Sequence, residues 1–353
     1  MARGMINDLD YLATRLHARR SRMAEGTRLD PLCRSRTVPE LCRTLYPGDE
    51  MPAAEFQRRL VRDLVQELFG CRKHLDEEGS ELVGWMLVRF QLENAKVLLR
   101  GLLNRTPFET LQRHLVSLPP GLELDRSALA RAESIGDFIM LMPDGAPRRR
   151  LSEAAGRQRD NLRPFLLEAA LDGGYFHELL ARARRIADED REVIKSLVVQ
   201  EASIFQLMLG MRGKFHYDLP ADLLRPLGAA GTGNPDEWFG ALLAAPDVLA
   251  AAKCVVGHAL DELPPERAAP KAFGATANPA AVEALAWKRF LRLANSAFRR
   301  SHLGLGAVVG YAGLRRVEVA NLITLSEGIR NGVEAEKLRA RLIPRTDLEA
   351  ADV

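Results

Sequence analysis

Aromatic residues make up only 6% of this 353-residue chain, and no stretch of useful length alternates apolar and polar residues at the period of a strand. With leucine, alanine, arginine and glutamate dominating, the composition favours helices over sheets, and the two together predict an all-α fold. Four cysteines, Cys33, Cys42, Cys71 and Cys254, form no CxxC pair and no metal-ligand spacing. The N-terminus reads as carrying no secretory signal, so the thiols are expected reduced and the protein cytoplasmic. A net charge of +3 is too small to imply nucleic acid. No uncharged apolar run reaches the roughly 18 to 20 residues needed to span a bilayer. Trp238–Leu260 is broken by Pro246, Asp247 and Lys253, and Leu303–Leu314 is short and holds four glycines. Any membrane role is therefore expected to be peripheral.

Catalytic signatures are missing too. There is no G-x-x-x-x-G-K-[ST] loop for nucleotide phosphates, no Gly-x-Ser-x-Gly, and no DDxxD for magnesium. Gly304–Gly310, GLGAVVG, has its third glycine one place late for a dinucleotide fingerprint and reads as helix-packing glycines. His177-Glu178 opens like a zinc helix, but alanine stands where the second histidine belongs. The acidic cluster Asp188-Glu189-Asp190-Arg191-Glu192 reads as a helix start with a solvated face, with a divalent ion as the second possibility. No catalytic, cofactor or metal-ligating residue is assigned.

What is present is one pattern used three times. Leu82–Pro107, Ile194–Phe215 and Tyr311–Val333 are long apolar helical runs, each with a glutamate in the middle and an arginine eleven or twelve residues on. The glutamates are Glu93, Glu201 and Glu318, spaced 108 and 117 residues apart, and the arginines are Arg105, Arg212 and Arg330. The repetition predicts a single helical domain over 1–353, built from units at 1–121, 161–225 and 279–345 with irregular insertions between. Helical offsets place Ile194, Leu197, Val198, Ile204, Phe205 and Met208 on the face of Glu201, and similar apolar sets beside Glu93 and Glu318. Each carboxylate interrupts an apolar stripe, where an ionised group is costly unless paired. Either each is tied to an arginine of a neighbouring helix, or the three line a cavity or axial surface that receives a partner.

In chain order, Leu9–Met23 is a basic amphipathic helix containing Arg15. Short helical patterns follow at Asp30–Ser35 and Val38–Leu45, and Pro52 opens a helix that ends at Gly70. Arg148-Arg149-Arg150, after the turn Pro143–Pro147, reads as a solvated basic turn. The second unit carries Gly173–Ile186 with Arg182, and the third Ala284–Arg300 with Arg292. Gly228–Pro235 and Asp261–Ala280 read as loops.

Four stretches together resemble the C subunit of bacterial and archaeal V-type (A-type) ATPases, the equivalent of the d subunit of the eukaryotic vacuolar enzyme. They are YLATRLHARRSRMAEGTRLDPLCRSRTVPELCRTL, ENAKVLLRGLLNRTPFETLQRHLVSLPPG, DGGYFHELLARARRIADEDREVIKSLVVQEASIFQLMLGMRG and VVGYAGLRRVEVANLITLSEGIRNGVEAEKLRARLIP. The resemblance implies a non-catalytic, funnel-like protein of three pseudo-symmetric helical units. It implies a place on the cytoplasmic face of the membrane rotor ring, where the funnel receives the central shaft subunits and transmits torque between ATP chemistry and proton or sodium movement. Two other readings of the residues remain: a helical metal-dependent enzyme with glutamates lining a central pocket, and an unrelated helical adaptor.

Overall fold

The computed structural model describes residues 2–158, 162–187, 189–229, 235–261 and 279–344. Most of the two loops read at 228–235 and 261–280, and Asp188 of the acidic cluster, lie outside them. The described chain is helical, with a single isolated bridge between Val256 and Leu260 and no other strand pairing among the described residues. Among the described residues seven helices have 19 residues or more: α1 (Ala2–Arg20), α2 (Ala53–Cys71), α3 (Glu77–Asn104), α4 (Pro164–Arg185), α5 (Arg191–Phe215), α6 (Pro279–Arg300) and α7 (Leu305–Arg330).

Local chemistry sets their ends. The Asp76 side chain accepts from Gly79 N at 2.7 Å to open α3, and Arg105, left-handed at φ 53°, closes it. Asp190 precedes α5, and its carboxylate accepts from Gly306 N at 2.8 Å in the first turn of α7. A negative group is favoured at that helix end, so Asp190 of the acidic cluster serves a neighbouring helix. Gly310 brings α7 against the backbone of α6 at Ala294 and Phe298, the packing role expected of the GLGAVVG run.

Short connections fold α2–α3, α4–α5 and α6–α7 into three hairpins. The second helix of each packs on the first helix of the next: α3 on α4, α5 on α6, and α7 back on α2. A specific polar bond marks each junction. Trp85 Nε1 donates to Tyr175 O at 3.0 Å, Gln200 Nε2 to Ala286 O at 3.0 Å, and Gln57 Nε2 to Ser326 Oγ at 2.8 Å. Helix α1 belongs to none of the hairpins and lies against α7. The apolar faces enclose one continuous core, in which Phe56, Phe138, Phe290, Phe298 and Tyr311 are fully buried.

Helix α5 is long and apolar enough to cross a membrane by length and composition, but 67% of that stretch is buried inside the protein. Arg148, Arg149 and Arg150 are not in a turn, contrary to expectation; they lie in a helix, Ala146–Gln158. Leu151 and Ala154 bury one face of this helix, and Gly174 lets it approach α4 at Pro147. Arg150 donates to the Gly228 carbonyl at 2.7 Å.

The second helices end alike. Gly101 O accepts from Thr106 N at 2.8 Å, Gly213 O from Leu219 N at 2.8 Å, and Gly328 O from Val333 N at 2.9 Å. A leucine from the following short helix, Leu111, Leu224 or Leu338, sits where a Cβ on the glycine would be. Replacing any of the three glycines with alanine is expected to cost about 1–3 kcal/mol through overpacking. Cutting the facing leucine to valine in the same chain should recover part of that loss, as read by denaturant midpoints of single and double variants.

Candidate functional site

The three glycines lie 112 and 115 residues apart, and this register differs from the spacing of the glutamates. Seven residues before each glycine stands a buried amide: Asn94, Gln206 and Asn321. Asn94 clasps Val116, donating to its carbonyl and accepting from its N–H, both at 2.8 Å. Asn321 clasps Ile343 in the same way, at 2.9 and 2.8 Å. Gln206 lies beside Gly228 in the middle unit. Five residues before each amide comes the position where the three second helices meet, and it holds Arg89, Glu201 and Arg316.

Both arginines touch the glutamate. Glu201, 5% exposed, accepts from Arg89 of α3 and pairs with Arg316 of α7 at 2.7 Å. The guanidinium of Arg316 lies 5.5 Å from the Phe290 ring, and that of Arg89 lies 5.9 Å from both Tyr175 and Phe176. Burial pushes the Glu201 carboxyl upward, but Arg316 and Arg89 outweigh it and hold it below its ordinary value. The two guanidiniums move in opposite directions. Burial lowers Arg89, and Glu201 more than restores it, so it ends raised. Arg316 ends lowered, by burial and by repulsion from Arg89, with Glu201 making up only part. One carboxylate serves two cations, so the cluster carries a surplus positive charge.

The other two expected glutamates lie elsewhere. Glu93 is half-exposed and pairs with Lys96 at 3.0 Å, while Lys96 also binds Asp172 at 2.6 Å. Burial raises Glu93, yet Lys96 prevails and its carboxyl ends below the ordinary value. Glu318 is buried, accepts from Ala24 N at 2.5 Å, and pairs with Arg315. The three carboxylates therefore share no pocket, and among the described residues no group of three His, Cys, Asp or Glu side chains is placed to hold a metal ion. The tie to a neighbouring helix's arginine, one of the two readings of the apolar-stripe glutamates, holds for Glu201.

The expected arginines are dispersed. Arg105 is the exposed cap of α3, Arg212 pairs with Glu283 at 3.2 Å, and Arg330 pairs with Glu327 at 2.6 Å. Arg182 pairs with Glu178 at 2.5 Å and lies 4.3 Å from the Trp85 ring, and Arg292 pairs with Asp261 at 2.7 Å. Arg15 is half-buried on α1. A repeat aligned on its glutamates misses Arg89, Arg316, Asn94, Gln206 and Asn321. The pattern Arg/Glu, then Asn/Gln five residues on, then Gly seven further, is present in the sequence and marks all three units.

Glu201→Gln leaves two partly buried guanidiniums without their counter-charge; breaking a fully buried pair costs about 3–5 kcal/mol, and the partial exposure of the arginines places the expected loss at or below the lower end of that range. The pH sign follows from the depressed carboxyl. Stability from Glu201 is complete above its unfolded value of about 4.3 and is lost as pH falls through the lower folded value. Unfolding titrations should show Glu201→Gln well below the parent chain at pH 7, with the gap closing in acid. A gap independent of pH would mean that the cost comes from packing.

Comparison with known proteins fits this architecture. The family described as ATP synthase (C/AC39) subunit matches residues 12–341. The C subunit of the V-type ATP synthase of Deinococcus radiodurans is 28% identical over 188 residues, 49% of this chain and 53% of its own length. The C subunit of the A-type ATP synthase of Methanosphaera stadtmanae is 23% identical over 271 residues, 73% of this chain and 66% of its own. That of Methanobrevibacter smithii is 24% identical over 221 residues, 62% and 57%. In each case the match spans less than two thirds of the relative's length. The family match takes in all three hairpins and the ion cluster between them, and the chain belongs to the ATP synthase (C/AC39) subunit family.

Proposed function

We propose that this chain is a non-catalytic central-stalk subunit of a rotary V/A-type ATPase, peripheral to the cytoplasmic face of the membrane. It connects the central shaft to the membrane rotor ring and transmits torque between ATP chemistry and ion movement. The observation that carries the reading is the family match over residues 12–341. Three hairpins closed on one another support it: a part that transmits torque needs a body that does not open, and here every second helix is packed against the next hairpin. In this reading the three hairpins are the three pseudo-symmetric units of a funnel.

The separate placement of Glu93, Glu201 and Glu318 speaks against the alternative of a metal-dependent pocket. An adaptor unrelated to any rotary machine is disfavoured by the same family match.

Three measurements test the reading. A tagged chain should co-purify the shaft and ring subunits, and the chain alone should hydrolyse no ATP. A complex assembled without it should keep hydrolysis in its headpiece and lose ion pumping; full pumping without this chain would overturn the assignment. Arg15, Arg182 and Arg292 are proposed as parts of the interface. Charge contacts that water reaches contribute about 0–1 kcal/mol each. Each single alanine variant should therefore assemble, whereas the triple variant should lose pumping relative to ATP turnover on the same reconstituted complex.

A further inference from the structure

A cleft of about 740 Å³ lies away from the ion cluster, between the end of α1, the loop at 21–29, and helices α6 and α7. Met23, Phe298, Leu314 and Val317 form a buried apolar floor, and half-buried Leu291 lines one wall. Arg20, Arg28, Arg299 and His17 bring positive or titratable groups to the same cleft, with Glu25 and Glu318 as its carboxylates.

Both carboxylates are already engaged. Glu318 accepts from Ala24 N and pairs with Arg315, which lies outside the cleft lining. Glu25 pairs with Arg20 at 3.3 Å. Arg20 is further fixed by Asn295 and lies 4.7 Å from the Phe298 ring, so its planar fork is held in place on the wall. Arg28 gives its hydrogen bonds to the carbonyls of Ser21 and Met23, which leave its charge uncompensated. Arg299, one helical turn beyond Asn295, is exposed and forms no ion pair among the described residues.

The size is that of sites which take small molecules, roughly 300–1,000 Å³, mostly apolar with a few converging polar groups. An apolar floor under a net cationic mouth selects a particular chemistry. We propose that this cleft binds an amphipathic anion, a single carboxylate or phosphate monoester on an unbranched apolar chain. The tail lies on Phe298, Leu314 and Val317, and the head meets Arg299 and Arg28, whose guanidiniums match the oxygens of either group. The inference does not rest on the rotary assignment, and either can fail without the other.

The test is calorimetric titration of the full chain with hexanoate, octanoate, decanoate and decyl phosphate, each below its micelle concentration. Decanol and decyltrimethylammonium serve as uncharged and oppositely charged controls. Saturable one-to-one binding is expected, tightening about fourfold per methylene until the cleft is filled. Decanoate and decyl phosphate together distinguish a fatty-acid source from a phosphate-headed one. Arg299→Ala, an exposed position, should weaken decanoate about tenfold, the loss of one charge-assisted contact. Leu291→Trp should abolish binding by filling the wall, with a thermal melt reporting whether the fold is kept. Absence of saturable binding, controls that bind as tightly as decanoate, or an Arg299→Ala chain that binds as well as the parent would each overturn the proposal.

Discussion

A carboxylate 5% exposed, set where three long helices meet, constrains everything around it. Glu201 can be held out of water only with a counter-charge in contact, because an unpaired buried charge costs several kcal/mol. Arg89 comes from α3 and Arg316 from α7, so the ion cluster is satisfied only when all three hairpins are in place. Apolar burial supplies most of the free energy of folding, but it is non-directional and tolerates sliding along a helix. A charge triad does not. A slip of one residue in α3 or α7 turns that helix's arginine about 100° away and takes one of the two guanidiniums from Glu201.

The amide clasps carry the same logic outward. Asn94 and Asn321 each use both ends of the side-chain amide on one backbone residue 22 positions later, so each hairpin holds its own following segment. In the middle unit the turn from Gly213 to Leu219 is one residue longer than in the other two, and glutamine, one methylene longer than asparagine, stands at the matching position. Geometry is thus kept across the units while the charge at the meeting point is not. Three arginines there would repel, and three glutamates would repel equally; two against one is a combination that a threefold plan can hold ionised.

The all-α class and the helices around 38–45, 53–71 and 284–300 were legible because amphipathic periodicity and caps are local signals. The internal register was not. Glu93 and Glu318 are the conspicuous charges in their apolar runs, but Glu93 lies four residues and Glu318 two residues past the position that corresponds to Glu201. Glycine, whose role is close approach, and asparagine, whose role is a clasp, set the register, and neither stands out by hydropathy. Arg148–Arg150 show a related limit. Three successive arginines after Pro147 look like a solvated turn, yet the small residues Gly173 and Gly174 of another helix decide that this segment can pack as a helix.

Closure has a mechanical consequence. In an open row of hairpins, twist applied to one end is taken up by the outermost junction alone, whereas a row closed on itself has no outermost junction. Here the contacts α3 on α4, α5 on α6 and α7 on α2 leave none of the three hairpins with a free partner face. Trp85, Gln200 and Gln57 place at least one directional bond in each junction, and the Glu201 cluster joins all three second helices on the inside. Sliding at any one junction must therefore break polar bonds there and strain the shared carboxylate as well. The cost of deformation is distributed over the whole ring, which is the property that the proposed place between a shaft and a rotor requires.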